Sequence, residues 1–273
     1  MPLNLLCACL ASGWFQLSAT RAVMMAASIT GLGVLTACTA LSPKLLATTQ
    51  AEPAVAQTAS LKLPEEVRLK TNDGWTIVGD LYVPSGSARG AIVLLHQRGG
   101  SAYDWRGLAT ALQKSGFIAL AIDQRGAGRS TQGPEPTGDD APWLTSEDIA
   151  TAIASLPKQL PIGLAGASYG ANNALIYAAA HPNQIKGLAL FSPGANYHSL
   201  DALAAARSYH AALVIYHSQD DSTAGVGPKQ INGISPSPNH RLQVLSGNAH
   251  GTELINPGVI SDVVKFFQSS LKQ

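Results

Sequence analysis

The globular part of this chain has no cysteine. All three cysteines, Cys7, Cys9 and Cys38, fall in the first 38 of 273 residues. A disulfide framework and a thiolate metal site are thereby excluded from everything that follows. Charge is scarce as well, at 13% of residues, and aromatics make up 6%. Formal net charge is +1, from 18 basic and 17 acidic residues. Arg21, Lys44 and Glu52 are the only charges in the first 60 residues, so the remainder carries 18 − 2 = 16 basic and 17 − 1 = 16 acidic side chains. A neutral body without a basic run or stripe excludes nucleic acid as a partner. No HExxH or similar spacing of metal ligands occurs, and no cofactor is expected. What the chain has in quantity is apolar residues, 46% of the total, ample for one packed domain.

The N-terminal 60 residues differ from the rest. Arg21 precedes the apolar run "AVMMAASITGLGVLTAC", whose length suits the h-region of a signal peptide. Leu35-Thr36-Ala37-Cys38 resembles the bacterial lipobox, in which the cysteine is lipidated and becomes the mature N-terminus. That resemblance covers four residues only. It implies a lipoprotein-type signal peptide over 1–37, lipidation of Cys38, a flexible tether over 38–60, and residence in the bacterial cell envelope. An uncleaved membrane anchor and an ordinary signal peptide are the alternatives.

From residue 61 onward, strand and helix patterns alternate. "EEVRLKT" (65–71) and "WTIVGDLYV" (75–83) flank Asn72-Asp73-Gly74, a hairpin signal. Apolar runs at 90–97, 117–123, 162–167, 185–192, 212–218 and 240–246 read as further strands. Helical patterns lie between them, over 103–116, 145–156, 169–180 and 199–209, with a last one at 258–271. The pattern predicts an α/β domain over 61–273 with about eight strands, mostly parallel, the first two forming an antiparallel edge. The short joint between 192 and 211 leaves no room for a large cap.

One motif carries chemistry. Gly166-Ala167-Ser168-Tyr169-Gly170 sits between an apolar strand and an apolar helix, the context in which G-x-S-x-G forms a nucleophile elbow. Side chains at 166 and 170 would collide with neighbouring backbone. The helix beginning at Tyr169 aims backbone N–H groups toward developing negative charge, and the Tyr169 amide is the first expected oxyanion donor. A serine at neutral pH needs a base, and the elbow predicts the chain order Ser, acid, His. Asp220 and Asp221 follow the strand 212–218 at its C-terminal end. After them come only His240, which opens a strand at the wrong end of the sheet, and His250, in the loop before the last helix. His250 is the expected base. His217, inside a strand end, reads as structural. Tyr103, Trp105, Tyr197 and Tyr209 are candidates to line a pocket or to fill the core.

Four ordered features, "HQRGG", "DQRGAGRS", "GASYG", and "QDD" with "AHG", together resemble the α/β-hydrolase superfamily over about residues 65–273. The compact, capless length is similar to its dienelactone-hydrolase-like and small-esterase branches, although the cysteine nucleophile of true dienelactone hydrolases is absent. The resemblance implies Asp220 as the acid, because "HSQD" fits the G-x-x-D spacing with His217 in place of Gly. It implies the Arg98 amide as the second oxyanion donor, with Gln97 as the alternative. It also implies Asp123 and Arg125 as a structural pair. The activity implied is hydrolysis of a small-molecule carboxylic ester of small or medium acyl length. A peptidase or amidase on the same triad, or an idle hydrolase-fold lipoprotein that binds a ligand or partner, are the rivals.

Overall fold

A computed structural model describes residues 62–135 and 145–272. The expected signal peptide, Cys38 and the tether lie outside the described residues. Eight strands form one sheet in the order β1-β2-β4-β3-β5-β6-β9-β10. These are β1 (Glu65–Lys70), β2 (Thr76–Tyr82), β3 (Ala91–Leu95), β4 (Ile118–Asp123), β5 (Ile162–Ala167), β6 (Ile185–Phe191), β9 (Ala212–Ser218) and β10 (His240–Leu245). A two-stranded hairpin, β7 (Asn196–Tyr197) and β8 (Leu200–Asp201), stands apart from it. β2 pairs antiparallel with both β1 and β4, and the remaining neighbours are parallel.

The parallel strands are buried on both faces, which is why their sequences are continuous apolar runs rather than alternating ones. In β3, Val93 and Leu95 enter one core layer while Ile92 and Leu94 enter the other. The first layer is closed by α2 (Ser146–Ala154), α3 (Tyr169–Ala180), α4 (Ala202–Ala206) and α5 (Gly227–Ile234), through residues such as Ile149, Leu175, Ala206 and Ile231. The second is closed by α1 (Arg106–Lys114) and α6 (Pro257–Ser270), through Leu108, Leu112, Val263 and Phe267. Trp105 and Tyr209 belong to these cores at 0% and 3% exposure. Tyr103 is exposed.

Two elements differ from the sequence pattern. The expected helix over 199–209 is shorter, because His198 and Ser199 adopt positive φ (45° and 62°) and turn the chain into the β7–β8 hairpin before α4 begins. Asp201 then caps α4 by accepting a hydrogen bond from the Ala204 amide. The segment "GPKQINGI" forms α5, which its two glycines and proline conceal from a propensity reading.

The charge pairs of the loop after β4 also differ. Asp123 and Arg125 do not pair. Arg129 Nε, rather, donates to Asp123 at 2.7 Å, and the Ala102 amide donates to the same carboxylate at 2.7 Å. Arg125 reaches Asp148 on α2 and Asp73 in the β1–β2 turn. The turn closed by the Gly126 amide on the Ser130 carbonyl sends the chain back, so the residue six positions on, not two, meets the end of β4.

Candidate active site

Five strand ends converge on one edge of the sheet. The chain leaves β3 at His96-Gln97-Arg98, β5 at Ser168, β6 at Ser192, β9 at Asp221 and β10 toward His250. In open α/β sheets this carboxyl edge is where ligands bind.

Ser168 stands between β5 and α3 with φ 52° and ψ −121°. That conformation costs a non-glycine residue about 1–3 kcal/mol and persists only where the surroundings dictate it. Here they do. The Ser168 amide donates to the Phe191 carbonyl at 2.8 Å, and the Ala171 and Asn172 amides donate to the Ser168 carbonyl. A Cβ at Gly166 would collide with the Gly170 carbonyl group, and one at Gly170 would lie 2.5 Å from the carbonyl oxygens of Leu95 and His96. Both glycines are therefore steric requirements of the turn.

His250 lies at the start of a short 3-10 turn (Gly251–Leu254), with its amide donating to Glu253 at 3.0 Å. Its Nδ1 is 2.9 and 3.0 Å from the two carboxylate oxygens of Asp221. Asp221, not Asp220, is thus the acid that meets His250. Asp220 is exposed, while Asp221 is 4% exposed. The physical reason is the turn after β9. The Asp221 amide bonds back to the Ser218 carbonyl, and Asp221 Oδ1 accepts from the Thr223 and Ala224 amides, which folds the second aspartate inward. Burial alone would push the Asp221 carboxyl up. Hydrogen bonds from Ser192, His250 and the Ala224 amide outweigh that and hold it below the usual carboxylate range. An ionised carboxylate only accepts, so the proton on a neutral His250 sits at Nδ1 and leaves the Nε2 lone pair available.

The loop after β3 is held by a buried polar chain. His96 Nδ1 bonds the Gln97 carbonyl at 2.7 Å, and its Nε2 accepts from the Gln124 amide at 3.0 Å. This fixes the Nδ1–H tautomer, and burial lowers the His96 pKa and keeps the ring neutral. Gln124 continues through Thr145 to Asn173, which donates to the Tyr169 carbonyl at 3.2 Å. Gln97 uses its side chain. Its Oε1 accepts from the Thr252 amide at 2.7 Å and sits where a Cβ on Gly251 would be. The loop of Arg98 is thereby tied to the loop of His250, a contact no local pattern reveals.

A cavity of about 350 Å³ opens beside the elbow, lined by Arg98, Gly100, Arg125, Gly128 and Tyr169 among others. Both expected oxyanion residues, Arg98 and Tyr169, border it. The Arg98 guanidinium reaches the Tyr197 hydroxyl on the β7–β8 hairpin at 3.4 Å. A larger cavity, about 890 Å³, lies beside Lys158, Ile162 and Lys186 at the opposite ends of β5 and β6. Arg98 and Tyr169 border the smaller one, and no candidate group borders the larger. His217 is buried at 2%, and among the described residues its Nδ1 has no hydrogen-bond partner. His240 is exposed at the start of β10. Among the described residues, no group of three or more His, Cys, Asp or Glu is placed to hold a metal ion.

Known proteins are similar to this chain in sequence and fold. Residues 90–219 match the family described as alpha/beta hydrolase fold. Over 184 residues the chain is 28% identical to the putative protein-lysine deacylase ABHD14B of Homo sapiens, covering 63% of this chain and 80% of that protein. The fold is similar to that of an esterase from Pyrococcus furiosus (TM-score 0.63, 19% identity, 78% of this chain and 94% of the other). It is similar also to a thermostable carboxyl esterase from Bacillus coagulans (TM-score 0.65, 15% identity, 77% and 99%). On the matched residues and the sheet they build, this chain has the α/β-hydrolase fold.

Proposed function

We propose that this protein is a serine hydrolase that cleaves carboxylic esters of small or medium acyl groups. One observation carries the proposal: a serine in strained elbow geometry at the end of β5 shares a sheet edge with a histidine bonded through Nδ1 to a buried aspartate at 2.9 Å. In the reaction, His250 Nε2 takes the Ser168 proton as Oγ attacks the ester carbonyl carbon. The amides of Tyr169 and Arg98 stabilise the resulting oxyanion, each contributing about 2.7–4 kcal/mol. The alkoxide then departs with the proton that His250 returns, leaving an acyl-serine. A water, deprotonated by the same imidazole, attacks that acyl group, and acid and serine are released. Asp221 holds the tautomer and faces the imidazolium that forms.

The Pyrococcus and Bacillus proteins named esterases support the ester reading. The cavity of about 350 Å³ and the compact β7–β8 hairpin support short substrates. The human relative, named a putative protein-lysine deacylase, favours a second reading in which the leaving group is an amine. A p-nitrophenyl ester series of increasing chain length, run beside p-nitroanilides and acyl-lysine peptides, separates them. Turnover of short and medium esters well above that of any amide is expected. Faster turnover of the acyl-lysine peptides would transfer the assignment to deacylation.

We also propose that the chain is exported and anchored to the bacterial cell envelope by lipid on Cys38. Diacyl or triacyl attachment gives stable anchoring where a single chain is marginal. A Cys38→Ala form is expected to move from the membrane to the soluble fraction on fractionation. Unchanged membrane association would remove the anchor.

A further inference from the structure

Ser192 is a second serine at a strand end with left-handed backbone. It follows β6, has φ 51°, and is 1% exposed. Its amide donates to the Tyr216 carbonyl at 2.8 Å, which locks the chain there. Left-handed geometry costs a side-chain-bearing residue about 1–2 kcal/mol, and glycine would relieve that strain. A serine held in this conformation in a dry site points to a use for its hydroxyl.

Ser192 Oγ accepts the Gly251 N–H at 3.0 Å. That amide belongs to the residue after His250, whose Nδ1 lies 2.9 Å from Asp221. The same hydroxyl helps hold the Asp221 carboxyl below its ordinary range. Ser192 thus holds the backbone of the loop whose histidine meets the acid. None of this is needed to build β6, whose pairing ends at Phe191.

We propose that Ser192 is a positioning residue of this site, its hydroxyl holding the Gly251 amide and so fixing the direction in which His250 presents Nε2. The proposal rests on the serine-hydrolase reading for its kinetic consequence and on the Ser192–Gly251 hydrogen bond for its structural one. A displacement of about 1 Å at a base costs on the order of a hundredfold in rate. Ser192 touches no reacting atom, so binding is left alone.

The test compares wild type with Ser192→Ala and Ser192→Gly. Steady-state kinetics on a p-nitrophenyl ester should show kcat lowered about 10- to 100-fold with KM changed less than about twofold. Ser192→Gly, which relieves the positive φ, should melt above Ser192→Ala and still show the same kcat loss. Amide hydrogen exchange at Gly251 should accelerate in both variants while exchange in the β3 and β5 strands holds. Wild-type kcat in either folded variant overturns the proposal. So does a change confined to KM, or a kcat loss that tracks melting temperature. Should the wild type itself fail to hydrolyse any ester, the serine-hydrolase reading falls. Gly251 exchange then decides the Ser192 tether by itself, and unchanged protection overturns it.

Discussion

Ser168→Ala is expected to lower ester turnover by about a million-fold while leaving the melting temperature within a few degrees of wild type. The asymmetry between activity and stability follows from the elbow. The steric demands of the turn fall on Gly166 and Gly170, and its hydrogen bonds use the Ser168 backbone amide and carbonyl, none of which alanine changes. Alanine tolerates the positive φ about as poorly as serine does, so the strain stays and the nucleophile goes. Circular dichroism and thermal melting beside a p-nitrophenyl ester assay check both halves. A variant retaining more than a small fraction of activity would move the nucleophile elsewhere.

The second large effect distinguishes two adjacent aspartates. Asp221→Asn is expected to lower kcat about 10⁴-fold, because an amide at that position can donate to Nδ1 and select the imidazole tautomer whose Nε2 already carries a proton. Asp220→Asn should stay within about twofold of wild type, since its side chain is exposed and, among the described residues, it is engaged through its backbone amide, with the Gly247 carbonyl. Kinetics on the two purified variants would settle the acid. Equal losses at both positions, or a larger loss at 220, would contradict the contact between Asp221 and His250.

That pair of residues also shows where sequence reasoning stops. The strands were legible because a sheet covered on both faces demands continuous apolar runs, and β5 and β9 have the bounds the sequence suggests. The elbow was legible because its glycines are local necessities. The choice of Asp220 followed a spacing borrowed from relatives. The turn after β9 is set by the bonds of Asp221 to the Ser218 carbonyl and to the Thr223 and Ala224 amides, which move the inward-facing acid one residue on.

Longer-range links left no local trace. Gln97 meets Thr252 across 155 residues, and Ser192 meets Gly251 across 59. Nothing in "HQRGG" points to Thr252, and the positive φ of Ser192 cannot be read from "LFSPGA". α5 was hidden for a different reason. Its two glycines and proline have weak helical propensity, and the helix is held instead by burial of Gly227, Pro228 and Ile231 against the domain. The pairing of Arg129 rather than Arg125 with Asp123 likewise depends on the path of a loop, not on spacing along it.

Labelling by a fluorophosphonate probe reports most directly on whether Ser168 is an activated nucleophile, because the reagent needs no knowledge of the natural substrate. Intact-mass and peptide-mapping analysis of the labelled protein should find one adduct, on the peptide that carries Ser168, formed in wild type and missing from Ser168→Ala. An unlabelled wild type, or equal labelling of both proteins, would contradict the serine-hydrolase assignment.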